Sequence, residues 1–354
     1  MKKIISLLTS IALSAGFLLL LLTACAAPVS TPAPVAVVEN TALPVEIVQF
    51  TPIPTFTAEV QPTADFPTFT PATALSGQSD AIQFKANGTY TDITDTIAAG
   101  VSKTYSLNAM KGQIMSISIL PQIPNGGWGY IPMQIKGADG SVLCPQSADS
   151  ECMFWRGALP ASQDYFITLT PNGDIPQFVM RVAINPPGKD VQYFQYSNPA
   201  TGLSLTYPDT FAPALSVAGN YKTDPGLTLH FIDSKIYDKT NLSDIYLFVS
   251  STFDAQVAAT CTESNQNGGG PEYPAGNEVI NGFTFVHSTS EGAGAGNYYQ
   301  QEIYRMVHKN VCYEVIYYIH YTNIGNYPPG TVAEFDGGAI TQKLYGIFST
   351  FTIK

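Results

Sequence analysis

The chain has 354 residues, of which only 12% are charged, and its formal net charge is −11. This acidity argues against binding nucleic acid or anionic lipid by charge, because both are polyanions. The length exceeds what one core usually holds and favours two domains. The low charged fraction, below the roughly 25% of an average soluble protein, is typical of secreted β-rich chains.

Residues 1–24 have the pattern of an export signal. Lys2 and Lys3 precede an uncharged apolar run, residues 4–22, which small residues close. This order is typical of a secretory signal rather than of a first domain. The alternative is a retained transmembrane anchor, because the run is nearly long enough to cross a bilayer.

The end of this run, Leu22-Thr23-Ala24-Cys25, resembles the lipobox of bacterial lipoproteins. The resemblance implies that Cys25 becomes the N-terminus and carries acyl chains, palmitate among them. Several chains on one cysteine hold firmly, since each buried CH₂ contributes about 0.8 kcal/mol. We therefore expect a lipid-anchored protein of the cell membrane or the outer membrane that faces the extracytoplasmic side.

Residues 25–79 are predicted to be the lipidated cysteine and a disordered tether. Pro and Thr recur in segments 51–57 and 66–71, and residues 26–79 contain no Lys or Arg. Repeated proline favours extended polyproline II over helix or sheet. Such a segment would hold the folded part away from the membrane.

Residues 80–187 are predicted to form an all-β antiparallel sandwich. Polar and apolar residues alternate in segments 104–107, 113–119, 165–169 and 178–184, with turn residues and no helical stretch between them. Gly100 before Tyr105-Ser106-Leu107, the opening Lys111-Gly112-Gln113 and Leu159-Pro160 before 164–167 resemble the bacterial pre-peptidase C-terminal domain. The resemblance implies a jelly-roll-like accessory module that binds rather than catalyses.

Residues 188–354 open with segment 196–208, which resembles the start of PsbP-like domains. The resemblance implies an α+β domain, an antiparallel sheet flanked by helices, but its fold carries over without its function. Strands are predicted at 227–232, 245–250 and 283–287, with a hairpin at 298–321. Helices are predicted at 254–260 and, from apolar residues at helical spacing, at 332–348.

Four cysteines remain besides Cys25, and an even number in an exported chain predicts two disulfides. Of the three possible connectivities we favour Cys144–Cys152 and Cys261–Cys312, one within each domain. They would contribute about 2–3 and about 4 kcal/mol in the chain-entropy model.

Motifs of zinc hydrolases, serine hydrolases and phosphate-binding loops do not occur in the sequence, so we assign no catalytic, cofactor-binding or metal residue. The glycine-rich segments 268–271 and 292–296 read as mobile loops. A thiol site of Cys312 with Glu314 and His320 is conceivable, but a disulfide is favoured.

Asp92, Asp95 and Asp139 could supply oxygens to calcium, but isolated acidic residues of this kind usually cap turns. The four histidines are scattered without metal-ligand spacing.

The tyrosine-rich strand 311–321 is the best candidate for a binding face, since exposed aromatic rings stack on sugars or on partner side chains. Tyr313, Val315, Tyr317, Ile319 and Tyr321 point one way, and Cys312, Glu314, Ile316, Tyr318 and His320 the other. We favour the alternative that both faces are half-buried in a sheet covered by helices.

Lys309-Asn310 separates two strand patterns and predicts a two-residue hairpin turn. That turn sets Arg305 opposite Glu314, Ile303 opposite Ile316, Val307 opposite Cys312 and His308 opposite Val311. A cross-strand charge pair contributes about 0.2–1 kcal/mol, and a one-residue slip would break it.

Together these patterns indicate a non-catalytic surface module that binds an extracellular glycan or protein and uses no cofactor. The alternatives are an extracytoplasmic enzyme whose site no motif reveals and an envelope inhibitor or assembly factor.

Replacing Cys25 with Ser should block processing or release the protein from the membrane fraction, because the acyl chains would be lost. Fractionation and the size of the mature chain measure this. A Cys25→Ser variant that is cleaved as before and stays membrane-bound would show that the lipoprotein prediction is wrong.

Overall fold

The computed structural model describes residues 79–354 except 99, 122–130, 145–151, 172, 174, 187, 215–221, 224–225, 234–235, 238 and 265–269. The signal segment, Cys25 and the tether lie outside the described residues. Within the described part most residues are in β-strands. No helix there has both the length and the hydropathy needed to cross a membrane.

Two sheets built from residues 80–184 share one apolar core. The first has the order β1 (Asp80–Ala81), β3 (Lys103–Ala109), β8 (Gln163–Leu169), β5 (Met133–Gly137), β6 (Val142–Cys144). The second has the order β2 (Tyr90–Ile97), β9 (Ile175–Ile184), β4 (Ile114–Pro121), β7 (Phe154–Ala158). Every pairing except β1 with β3 is antiparallel, and all four strands predicted in this region are present.

Two further sheets follow in residues 193–353. The smaller has the order β10 (Tyr193–Ser197), β11 (Leu203–Pro208), β19 (Thr352–Ile353). The larger has seven strands in the order β12 (Phe211–Ala214), β13 (Leu227–Phe231), β14 (Leu242–Thr252), β18 (Val311–Thr322), β17 (Asn297–His308), β16 (Phe283–Gly294), β15 (Glu272–Ile280). All these pairings are antiparallel.

Both predicted disulfide pairs are present. Cys144 and Cys152 have Cα atoms 6.3 Å apart, and Cys261 and Cys312 have Cα atoms 5.6 Å apart. The first pair links β6 to the residues before β7, and the second anchors a segment outside the sheet to β18.

The helix-flanked α+β class expected for residues 188–354 is not supported. The described residues contain only two α-helices, α1 (Ala255–Ala259) and α2 (Gly337–Phe348). Only α2 is long enough to cover part of a sheet, and it buries the side chains of Ile340, Leu344 and Phe348 in the core. The smaller sheet supplies much of the remaining apolar cover of the larger sheet, so that strands rather than helices complete this core.

The helix predicted from residue 332 begins at Gly337 instead. The carboxylate of Asp336 accepts a hydrogen bond from the Ala339 N–H at 3.0 Å and caps the first turn. Before it the chain is extended, and Ala333 bridges to Thr240. Apolar spacing alone therefore extended the prediction past an N-cap signal that the sequence contains.

The sequence predicts a mobile loop at 292–296, but the structure shows a strand end and a tight turn there. Gly292 and Gly294 lie in β16, and Ala295 and Gly296 form the turn to β17 with φ values of 50° and 79°. Positive φ at both turn residues suits the twist of a tight hairpin. The glycine-rich run is therefore part of an ordered sheet.

The predicted hairpin register is confirmed. Arg305 pairs with Glu314, Ile303 with Ile316, Val307 with Cys312 and His308 with Val311. The turn residues Lys309 and Asn310 have φ values of 50° and 62°, as a two-residue turn of this type requires.

The charge pair is buried, which the sequence did not reveal. Arg305 donates from Nε to Glu314 at 2.6 Å and from its two terminal nitrogens to Glu272 at 2.6 and 2.9 Å. Its side chain is 3% exposed. Glu314 also accepts hydrogen bonds from the backbone N–H groups of Lys222 and Thr223. The small energy of an exposed cross-strand charge pair therefore does not apply here, because removing one partner would leave the other as an unpaired buried charge.

Replacing Arg305 with Met should lower the free energy of unfolding by about 3–5 kcal/mol, since two carboxylates would lose their buried cation. Urea unfolding followed by fluorescence measures the change. Lys103→Met is the control: its ion pairs with Asp80 and Asp95 are both partly exposed, so about 1 kcal/mol or less is expected for each pair. Equal losses in the two variants would contradict a stabilising role for the buried network.

Candidate functional site

The two faces of the seven-stranded sheet differ in burial. Tyr313, Val315, Tyr317 and Ile319 lie on the face that α2 covers, and all are at most 5% exposed. These four of the five residues predicted on this side are therefore core rather than half-buried, whereas the fifth, Tyr321, is partly exposed. The opposite face, which we call the outer face, is buried at the Cys312 end of β18 and partly exposed at the His320 end.

The outer face presents an aromatic strip near the end where β16 turns into β17. The strip consists of five partly exposed side chains, His230, Tyr246, Tyr299, Tyr318 and His320. Cross-strand pairing brings them together, because His230 is opposite Tyr246, Tyr246 is opposite Tyr318, and Tyr299 is opposite His320.

The rings of the strip pack against each other. The ring centroids of His230 and Tyr246 are 4.5 Å apart, and those of Tyr299 and His320 are 4.6 Å apart, both in stacked geometry. Tyr318 links the two stacks at 5.9 Å from Tyr246 and 6.3 Å from Tyr299. Stacking covers part of each ring, and all five side chains stay partly exposed.

Asp244 lies between the two histidines. Its Oδ2 is 3.0 Å from Nδ1 of His320, and its Oδ1 is 3.6 Å from Nε2 of His230, an ion-pair distance too long for a good hydrogen bond. The contact with His230 lowers the pKa of Asp244, burial raises it, and His320 lowers it further, so that the net shift is downward.

Both nitrogens of His320 face oxygen acceptors. Nε2 lies 3.1 Å from Oδ1 of Asn297, and the amide of Asn297 is oriented by donation from its nitrogen to the Ala295 carbonyl at 3.3 Å. Each ring nitrogen of His320 therefore has a side-chain oxygen within hydrogen-bond distance. Asp244 and Asn297 together hold the ring of His320 in a fixed orientation.

The tyrosine hydroxyls of the strip suit hydrogen bonding. Burial raises the pKa of Tyr318 to about 12, and burial also raises the pKa of Tyr246. Both phenols are therefore neutral donors at physiological pH. Neutral hydroxyls beside apolar rings are suited to recognition rather than to proton transfer.

The conceivable thiol site is not assembled. Cys312 is bonded to Cys261, and Glu314 is bound to Arg305. His320 is eight residues further along β18, about 26 Å at the usual strand rise.

The candidate calcium ligands have other partners. Asp92 pairs with Arg181 at 2.7 Å, Asp95 with Lys103 at 2.5 Å, and Asp139 accepts from the Ser141 N–H at 2.9 Å. Across the described residues, no group of three or more His, Cys, Asp or Glu is arranged to hold a metal ion.

A second histidine–carboxylate pair lies on the face of the sheet that α2 covers, toward β15. His287 is 2.6 Å from Oε2 of Glu302 and stacks on Tyr304 at 4.3 Å. Sequence reasoning missed both histidine sites: Asp244 and His320 are 76 residues apart, and His287 and Glu302 meet in the β16–β17 hairpin, whose register was not predicted. The predicted β17–β18 register places Tyr299 opposite His320, but it contains no information about Asp244.

No protein-family model and no curated protein matches the chain. Three solved structures that match are periplasmic inhibitors of g-type lysozyme, PliG from Aeromonas hydrophila, Salmonella Typhimurium and a mutant of that from Escherichia coli. Their identities are 20%, 15% and 19%; they cover 30%, 31% and 31% of this chain and 96%, 100% and 100% of their own. The TM-scores are 0.25, 0.22 and 0.23, too low for an argument about function.

Replacing Asp244 with Asn should lower stability at pH 7. Because the pKa of Asp244 is lowered by folding, its carboxylate stabilises the fold above the unfolded-state pKa, near 4, and loses that effect as pH falls through the folded value. Urea unfolding at a series of pH values should show the two proteins converging below about pH 4. A difference that stays constant or grows toward acid would contradict this.

Proposed function

We propose that this protein is a non-catalytic binding module of the cell surface, anchored by lipid on Cys25 and held off the membrane by residues 26–79. The aromatic strip is its binding surface. The observation that carries the proposal is the grouping of three tyrosines and two histidines, partly exposed, on one face of a rigid sheet.

Binding is favoured over catalysis by what surrounds the strip. Both nitrogens of His320 face acceptors, and no described serine, threonine or cysteine donates a side-chain hydrogen bond to either histidine of the strip. A nucleophile beside a base, the usual arrangement of covalent catalysis, is therefore not present among the described residues there.

A protein ligand is favoured over a glycan by ring orientation. Sugars stack on free aromatic faces, and stacking on a histidine leaves Tyr246 and Tyr299 at most one such face each. Ring edges and phenol hydroxyls at low entropy cost are what protein interfaces use, and tyrosine is enriched in their energetic centres.

The resemblances to a pre-peptidase C-terminal domain in residues 80–187 and to a lipoprotein signal in residues 1–25 support the same proposal. Both imply an exported protein whose folded part is an accessory module. The division into domains at 80–187 and 188–354 belongs to this proposal as well.

Replacing Tyr318 with Ala should weaken ligand binding at least about tenfold, since central interface tyrosines often contribute more than 1 kcal/mol. The full-length protein in detergent micelles is screened against extracellular proteins and a glycan array, and the affinity of the ligand found is measured for each variant. Tyr193→Ala is the matched control, because Tyr193 is 62% exposed and lies on the smaller sheet.

Equal affinities for Tyr318→Ala and Tyr193→Ala would place the binding surface elsewhere. Conversion of the ligand to product by the wild-type protein would instead support the enzyme alternative.

A further inference from the structure

A polar cluster lies beside α2, on the face of the larger sheet that this helix covers. Its two carboxylates are those of Glu278 on β15 and Glu302 on β17. Glu278 is opposite Phe285 and Glu302 is opposite Tyr317, and both aromatic residues belong to the core that α2 covers. Residues directly opposite each other on antiparallel strands point to the same face, so both carboxylates lie on the α2 side of the sheet.

Each carboxylate has one oxygen in use. Oε2 of Glu302 is 2.6 Å from Nε2 of His287, and Oε1 of Glu278 accepts a long hydrogen bond of 3.4 Å from the Tyr345 hydroxyl. Glu278 is exposed, and the side chain of Glu302 is 34% exposed. Among the described residues, the second oxygen of each carboxylate has no partner, so each side chain offers one acceptor to a ligand.

The described cations of this part of the fold are directed elsewhere. Strands β15 to β18 and α2 contain one Arg and one Lys, Arg305 and Lys343. Arg305 is bound to Glu272 and Glu314 on the outer face, and Nζ of Lys343 lies 6.0 Å from the ring of Phe231 on β13. The carboxylates beside α2 therefore give this cluster a negative potential, which attracts a cation.

A buried hydroxyl at the base of the cluster has no partner. Tyr317 is 0% exposed, and its hydroxyl makes no hydrogen bond to any described residue. Its ring centroid is 5.3 Å from that of Tyr304, and Glu302 is its cross-strand neighbour. Burial raises the pKa of Tyr317, and the nearby phenols and both carboxylates of the cluster raise it further, which places its hydroxyl beside them. A buried hydroxyl left unpaired costs free energy, and an occupant that completes its hydrogen bonds removes that cost.

We propose that this cluster binds a primary ammonium group. The hydroxyl oxygen of Tyr317 and the free oxygens of Glu278 and Glu302 accept its three N–H donors. Because Tyr317 is buried, the ligand reaches it by displacing the Tyr345 hydroxyl, whose hydrogen bond to Glu278 is long. The site lies on the face opposite the aromatic strip and goes beyond the proposed function.

The acceptors favour an ammonium over three other occupants. A water molecule would satisfy Tyr317 but gain nothing from two nearby negative charges. A guanidinium binds best to both oxygens of one carboxylate, whereas Glu278 and Glu302 each give one oxygen to a neighbour. In the described part of the chain, no group of three or more His, Cys, Asp or Glu is arranged to hold a metal ion.

The test uses the full-length protein in detergent micelles, to which n-butylammonium is added while saturation-transfer NMR follows its binding. We expect a saturable signal that weakens as salt is raised. Butan-1-ol and butyltrimethylammonium are the control ligands, and neither should compete, because the first lacks the charge and the second lacks N–H donors.

Nα-acetyl-lysine amide distinguishes two sources of the ammonium group. Competition by this compound would assign the site to a lysine side chain of a protein. If n-butylammonium binds and the lysine compound does not compete, the site is assigned to a small free amine.

Tyr317→Phe should weaken binding of n-butylammonium at least about tenfold, since a hydrogen bond to a charged group is lost. Its midpoint of urea unfolding should equal or exceed that of the wild type, because the hydroxyl has no partner to lose. Glu278→Gln and Glu302→Gln should each weaken binding about two- to fivefold, as for partly exposed charge pairs. Glu263→Gln is the matched control: it makes the same chemical change at an exposed residue beside Arg305, and its affinity should equal that of the wild type.

The absence of a saturable n-butylammonium signal, or binding that Tyr317→Phe leaves unchanged, would overturn the inference. So would tighter binding of butylguanidinium than of n-butylammonium. A lower unfolding midpoint for Tyr317→Phe would show that structural water already satisfies the hydroxyl and would also overturn it. The aromatic strip on the other face is tested separately by Tyr318→Ala, so either proposal can fail while the other stands.

Discussion

The buried cation of Arg305 between Glu272 and Glu314 is the constraint on which the seven-stranded sheet depends. It joins β15, β17 and β18, and Glu314 also holds the backbone of Lys222 outside the sheet. A one-residue slip of β17 would move Arg305 to the face that α2 covers, where the core is apolar. Tyrosines occur on both faces of β18, so apolar alternation alone would define this register weakly. Buried charge defines it strongly, because a misplaced ion costs far more than a misplaced ring.

The geometry of the aromatic strip follows from that register. With Arg305 opposite Glu314, the antiparallel ladder sets Tyr299 opposite His320 and Tyr298 opposite Tyr321 at the other end of the hairpin. The ring stacks on the two faces are then direct cross-strand contacts. A structural interaction at one end of the hairpin thus positions the side chains that we assign to binding at the other end.

The sequence predicted the parts of this arrangement that depend on neighbours along the chain. The Lys309-Asn310 turn and the Arg305–Glu314 match were readable because only the turn separates the two strands. The contact of Glu272 with Arg305 could not be predicted, because the strand of Glu272 contains Pro274 and Gly276 around a bulge and its sequence resembles a loop. The contact of Asp244 with His320 spans 76 residues and requires the β14–β18 pairing, which no local pattern specifies. The helix-flanked class is not supported, because a family resemblance in segment 196–208 says little about what covers the sheet beyond it.

On the outer face the buried charges and the partly exposed aromatic strip lie apart. Between the buried charges and the aromatic strip lies a row of apolar side chains, Phe248, Ile303 and Ile316, each at most 1% exposed. This row excludes water from the ion network, where a low dielectric strengthens the interaction of Arg305 with its carboxylates. On the other side of this row, Tyr318 and His320 are partly exposed. Tyr318 packs against Tyr246, and His320 stacks on Tyr299. Substitutions in the strip therefore change partly exposed surface without exposing the buried charges, and the sheet beneath it keeps its register.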